Sequence, residues 1–225
     1  MVAWTEERRG GDGGGDLAAP TRPLAEARHL GHTRGVRLGI AHHHGWAVAV
    51  TATPEHEVVD RRRIELIEPG LPSAPIHHEG GPHDLHRSGE PLDDDALAAL
   101  LARVRASVER TTTAGLGALE DALADPITSI SLRAWSHDLP ADIAALRRPP
   151  HESRADSAMY LEVLAAEAAR RGWVVHRCDA GRVEAQAAAR LGDRADEVLH
   201  GPRARLGPPW AKDHRLALAA TVVAV

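Results

Sequence analysis

The sequence predicts an α/β fold: a mixed five-stranded sheet, an antiparallel meander followed by parallel strands, with helices on both faces. Three observations predict it. Three apolar segments with strand-like alternation follow one another across short connections between residues 36 and 67. Two later apolar segments, Ile127–Leu132 and Trp173–Cys178, are each preceded by a stretch of helical periodicity. Strand–helix–strand order implies parallel pairing through right-handed crossovers.

Residues 1–34 read as a disordered N-terminal arm, because Gly10–Asp16 offers little to bury and glycine loses the most backbone entropy on ordering. The domain covers 35–225. Val36–Ala41 and Trp46–Thr51 alternate as strands, and His42-His43-His44-Gly45 is short enough to make them a hairpin. A third strand spans Val58–Ile67. The connection over 68–92 is rich in Pro, Gly and His and reads as a long flexible loop. Asp93-Asp94-Asp95 opens a helix whose stripe runs Leu97, Leu100, Leu101, Val104 and Val108. Thr111–Thr113 and Gly115 weaken its middle before Leu116, Leu119 and Leu123 resume the pattern. After the strand at 127–132, Ser153 with Asp156 forms a partial capping box, and Gly172 closes that helix. Asp179 caps a further helix ending at Gly192, and Pro208-Pro209 introduces a last one from Trp210.

Composition narrows the function. Among 225 residues, 43% are hydrophobic but only 3% aromatic, with no Phe, so Leu, Val, Ile and Ala build the core. Acidic residues outnumber basic ones, 32 to 27, which excludes a nucleic-acid binder by bulk charge and leaves room for a local basic groove. Cys178 is the single cysteine, so there is no internal disulfide and a cytoplasmic chain is expected. The longest apolar run, Leu216–Val225, is about half of the roughly 20 residues of a membrane span, and the start lacks the apolar stretch of a signal peptide.

The element order is that of the ribonuclease H-like fold, and the second half resembles the RuvC type of Holliday-junction resolvases. The resemblance rests on Ala155-Asp156-Ser157-Ala158, on the strand Trp173–Val175, on Asp179–Glu184 and on Lys212–Ala219. Gly39-Ile40 with Gly45-Trp46-Ala47 resembles the family's first hairpin. It implies a metal-dependent endonuclease in which carboxylates from the first strand, the fourth strand and the last helix hold two Mg²⁺ or Mn²⁺ ions. Here the first-strand position is Ala41 and the fourth falls near Arg133 or Ala134; only Asp213 stands where an acid is expected. The resemblance therefore implies binding of structured nucleic acid, such as a DNA junction, with weak or no cleavage. The alternative is a non-catalytic scaffold or homodimeric interaction protein of the same fold.

Candidate residues follow. Asp213, helped by Asp138 and His137 at the end of the fourth strand, is the candidate catalytic group. His42 and His44, alternate residues of an extended segment, are candidate metal ligands with Asp213, for Mn²⁺ or Zn²⁺. Arg147, Arg148, Arg154, Arg182 and Lys212 are candidate phosphate contacts. The histidines at 77, 78, 83 and 86 match no zinc spacing and read as part of a mobile loop, and the tryptophans read as core fillers. A small-molecule site at His137 and Asp138 is the third reading.

Overall fold

A computed structural model describes residues 35–81, 89–135 and 137–224. The expected N-terminal arm, and the histidines at 83 and 86, lie outside these residues. Strands β1 (Val36–His43), β2 (Trp46–Ala52), β3 (Val58–Glu65), β4 (Ile127–Arg133) and β5 (Val174–Cys178) form one sheet in the order β3-β2-β1-β4-β5. β1 pairs antiparallel with β2, and β2 with β3. β1 pairs parallel with β4, and β4 with β5. Gly45, at φ +86°, closes the first hairpin.

The helices are α1 (Asp94–Glu120), α2 (Ile143–Leu146), α3 (Glu152–Arg170), α4 (Val183–Leu191), α5 (Ala195–Leu199), α6 (Pro202–Leu206) and α7 (Lys212–Val223). Strand side chains alternate between two cores, which is why β1 and β2 are apolar on both faces. Val36, Leu38, Ile40, Ala47 and Ala49 pack with α1 and α3. Val48, Val50 and Ala52 pack with Val183, Ala187, Val198 and the apolar face of α7. β3 and β5 are the outer strands, and Val59 and Val174 on them are exposed. Among the described residues no helix is long and apolar enough to cross a membrane.

α1 runs unbroken through the threonines. The Thr111 hydroxyl donates to the Ser107 carbonyl (2.9 Å), so it stays with the helix, and Thr112 is fully buried. Gly115 allows β3 to approach: a methyl there would lie 2.6 Å from Ile64 Cγ2. The partial capping box does not form. α3 starts at Glu152 with no side-chain cap, and Asp156 turns elsewhere.

The described part of the 68–92 connection is tied down rather than free. It holds a π-helical turn, Ile76–Gly80, with Ala74 and Ile76 buried. Arg147 straps it to α1. Its guanidinium donates to the carbonyls of Gly80 (2.8 Å) and Leu92 (2.6 Å) and to the Asp94 carboxylate (2.6 Å). Arg147→Ala is expected to lower stability by about 2 kcal/mol in a urea titration, since hydrogen bonds to a charged group each contribute about 1.5–3 kcal/mol.

Candidate functional site

The parallel strands β1 and β4 end beside the starts of α3 and α7, and chemistry-bearing side chains gather there. The segment before α7 is set by Arg61 of β3, whose guanidinium donates to the carbonyls of Leu206 (2.8 Å), Gly207 (2.9 Å), Pro208 (3.3 Å) and Pro209. Trp210 then donates its indole N–H to Leu199 O (2.8 Å), and His214 Nδ1 accepts the Ala211 N–H (3.2 Å). These contacts fix the first turn of α7, and with it Asp213.

Asp213 meets His43. The His43 Nε2–H donates to Asp213 Oδ2 at 3.0 Å, and both side chains are partly open to solvent, 42% and 31%. His43 also stacks on Trp46, with ring centroids 4.1 Å apart and planes at 12°. Arg63 of β3 lies 4.1 Å from the same indole, a cation–π contact. So Trp46 is part of a surface stack, whereas Trp173 and Trp210 are buried core residues as expected.

The pleat explains which histidine was chosen. Gly39 approaches Ala217 of α7, so Gly39, Ala41 and His43 share the α7 face. His42 lies on the opposite face and shares a hydrogen bond with Ser157 of α3 (2.9 Å). His44 lies beside Tyr160, ring centroids 6.3 Å apart. The expected triplet of Asp213, His42 and His44 is therefore not brought together. Among the described residues no group of three His, Cys, Asp or Glu side chains converges to hold a metal ion. The donor set does not fit a pair of Mg²⁺ or Mn²⁺ ions either. A methyl group occupies the first-strand position (Ala41), a guanidinium stands at the end of β4, and Asp213 supplies one carboxylate.

On the α3 side, Arg133 donates to Ser157 Oγ, which leaves the Ser157 hydroxyl proton for His42 Nε2. Burial, and then the charge of Arg133, push the His42 pKa down to about 3. A ring that weakly basic is a poor general base, so the Ser157–His42 pair is a structural link rather than a nucleophile and its base. His44 is lowered by burial first, and then by His78, Arg133 and His77. Burial also lowers Arg133 itself. Its side chain bonds to Ser157, and among the described residues it has no carboxylate partner.

One helical position before Ser157, Asp156 is 1% exposed and accepts the backbone N–H groups of Ile76 (3.1 Å) and His77 (3.0 Å). Burial pushes its pKa up to about 7, although these two bonds pull the other way. Tyr160, a turn further on, donates its hydroxyl to Ser73 O (2.9 Å), and burial raises its pKa.

The other sequence-named residues lie apart from this cluster in their bonding. His137 is exposed and hydrogen-bonds Arg177, which stacks over Trp135 at 4.0 Å. His137 also borders an apolar cavity of about 370 Å³ with Leu101, Leu139, Leu146 and Met159; Asp138 does not line it. Arg147 is spent on its strap. Arg148, Arg182 and Lys212 are exposed, and Arg154 is exposed with its Nε–H on Pro150 O (3.2 Å). Sequence reading missed the partnerships of His43, Ser157 and Arg133. Counting the pleat from Gly39 would have found the first; the other two depend on contacts between distant segments. No protein-family model matches the chain, and no curated protein matches it.

Proposed function

We propose that this chain is a ribonuclease H-like protein of the RuvC branch that binds structured nucleic acid along the C-terminal edge of its sheet, without two-metal cleavage. The strand order, with an antiparallel meander joined to parallel β4 and β5 through β1, supports the fold reading. One observation carries the functional reading: of the three positions where the resemblance expects acids, the one at the end of β4 holds a cation, Arg133, and other cations stand around this edge. Arg133 ends β4, and Arg177 lies one residue before the end of β5. Arg154, Arg182 and Lys212 stand at the starts of α3, α4 and α7. The helix N-termini add partial positive charge at the same edge. In a chain of net charge −5, these cations stand together at one edge, interspersed with Glu152, Asp179, Glu184 and Asp213.

A gel-shift series with a four-way junction, duplex and single-stranded DNA at two salt concentrations tests this. The junction is expected to bind with a steep salt dependence, because each neutralised phosphate releases condensed counterions. Lys212→Ala and Arg182→Ala are each expected to weaken binding and to reduce the log–log salt slope by about 1. Absence of any shift at low salt would sink the reading. With Mg²⁺ or Mn²⁺ added, the junction is expected to stay intact for the wild type and for Asp213→Asn alike. Cleavage by the wild type that Asp213→Asn abolishes would show that two-metal chemistry survives.

A further inference from the structure

We propose that a phosphoryl group binds at Arg133, at the C-terminal ends of β1 and β4, on the guanidinium N–H groups that Ser157 leaves unused. The inference rests on reading this edge as a phosphate-binding surface, and it names the residue that grips.

Arg133 is held in place by a single neutral partner at the end of β4. Arg61 is filled by four carbonyls, Arg62 and Arg63 hold Asp60 and Glu65, Arg147 holds three acceptors, and Arg171 holds Glu120 and Glu167. Arg133 bonds one neutral hydroxyl. A guanidinium carries five N–H donors in a planar fork, so most of this one remains open to a ligand with several oxygens. Arg133 is exposed at the end of β4, and partial burial of its guanidinium lowers its pKa.

The surroundings favour an anion too. Ser157, which orients the fork, is itself fixed by His42, so the geometry exists before a ligand arrives. The acid next to Ser157 in sequence, Asp156, is buried, bound to two backbone N–H groups and raised towards neutrality. Burial and the charge of Arg133 lower the pKa of His42 to about 3 and also lower that of His44, so Arg133 supplies the positive charge of this cluster. Where the resembling nucleases grip phosphate through metal ions held by acids, this chain places a cation that contacts the phosphate oxygens directly.

Calorimetric titration of the full chain with inorganic phosphate at low ionic strength tests the proposal. Saturable binding is expected for the wild type, with a loss of roughly ten-fold or more in Arg133→Gln and a smaller loss in Arg133→Lys, which keeps the charge but not the fork. Circular dichroism melts establish that the variants fold; if Arg133→Gln does not, Arg133→Lys decides, and unchanged affinity there overturns the proposal. Titration with one short oligonucleotide in 5′-phosphorylated and 5′-hydroxyl forms separates the sources. Preference for the former assigns a terminal monoester, and equal, Arg133-dependent binding assigns a backbone diester. Phosphate binding that survives intact in Arg133→Gln, or no saturable binding by the wild type, overturns it. If the junction still shifts while phosphate does not bind, the surface reading stands and this site falls. If phosphate binds through Arg133 but no nucleic acid shifts, the site stands and the surface reading falls.

Discussion

Gly39→Ala is expected to lower the free energy of unfolding by about 3 kcal/mol, at the upper end of the usual cost of overpacking. Gly39 lies in β1 directly beneath α7. A methyl there would sit on the Ala217 carbonyl, with its carbon 2.7 Å away and Thr221 Cγ2 at 3.0 Å. These are atoms of a helix backbone and a buried side chain, so the clash is relieved only by lifting α7 off the sheet. Lifting it would expose Ala217, Leu218 and Val222 and separate Asp213 from His43. Gly117→Ala serves as the opposite case. It lies inside α1 with its nearest neighbour, Arg171 Nη2, 3.8 Å from the added carbon, and is expected to stabilise by about 0.5–1 kcal/mol through helix propensity. Urea denaturation of the two variants should move the midpoint in opposite directions, and a Gly39→Ala midpoint equal to wild type would refute this packing.

The second large effect concerns pH. His42, neutral in the fold down to about pH 3, binds a proton in the unfolded chain below about 6.5. The stability this lends is present above 6.5 and is lost as pH falls towards 3. Asp156 acts with the other sign. It stays protonated in the fold up to about 7 but ionises near 3.8 when unfolded, so its contribution is lost as pH rises through that interval. Between pH 4 and 6.5 the two slopes oppose, each close to one proton, about 1.4 kcal/mol per pH unit. Removing one group uncovers the other. Relative to wild type, Asp156→Asn is expected to gain stability as pH rises from 4 to 6.5, and His42→Gln to lose it, each by up to about 3 kcal/mol. Taking the difference from wild type cancels His44, His56 and His214, whose values are also lowered. Parallel stability profiles for the two variants would contradict this arrangement of buried charge.

Much of the sheet was legible because alternation and turn chemistry are local. β1 and β2 fall within a residue or two of where their apolar alternation places them, and α7 starts two residues after Trp210. The short helices α2, α5 and α6 were not foreseen, since four or five residues are too few to show a period. The functional side chains were harder. Asp156 reads locally as part of a capping box, yet its acceptors serve Ile76 and His77, about eighty residues away. Arg147 and Arg148 are indistinguishable as a sequence pair, but only the first hydrogen-bonds Gly80, Leu92 and Asp94. Alternation pairs His42 with His44, but counted from the glycine beneath α7 it places His43 on the face of Asp213.

The outer strand β3 carries Arg61, Arg62 and Arg63 in succession. Were a second copy to extend the sheet by antiparallel addition at this edge, guanidinium would confront guanidinium across the seam, and like charges set opposite one another repel. Self-assembly of the chain into an extended β-ribbon is thus discouraged on that flank.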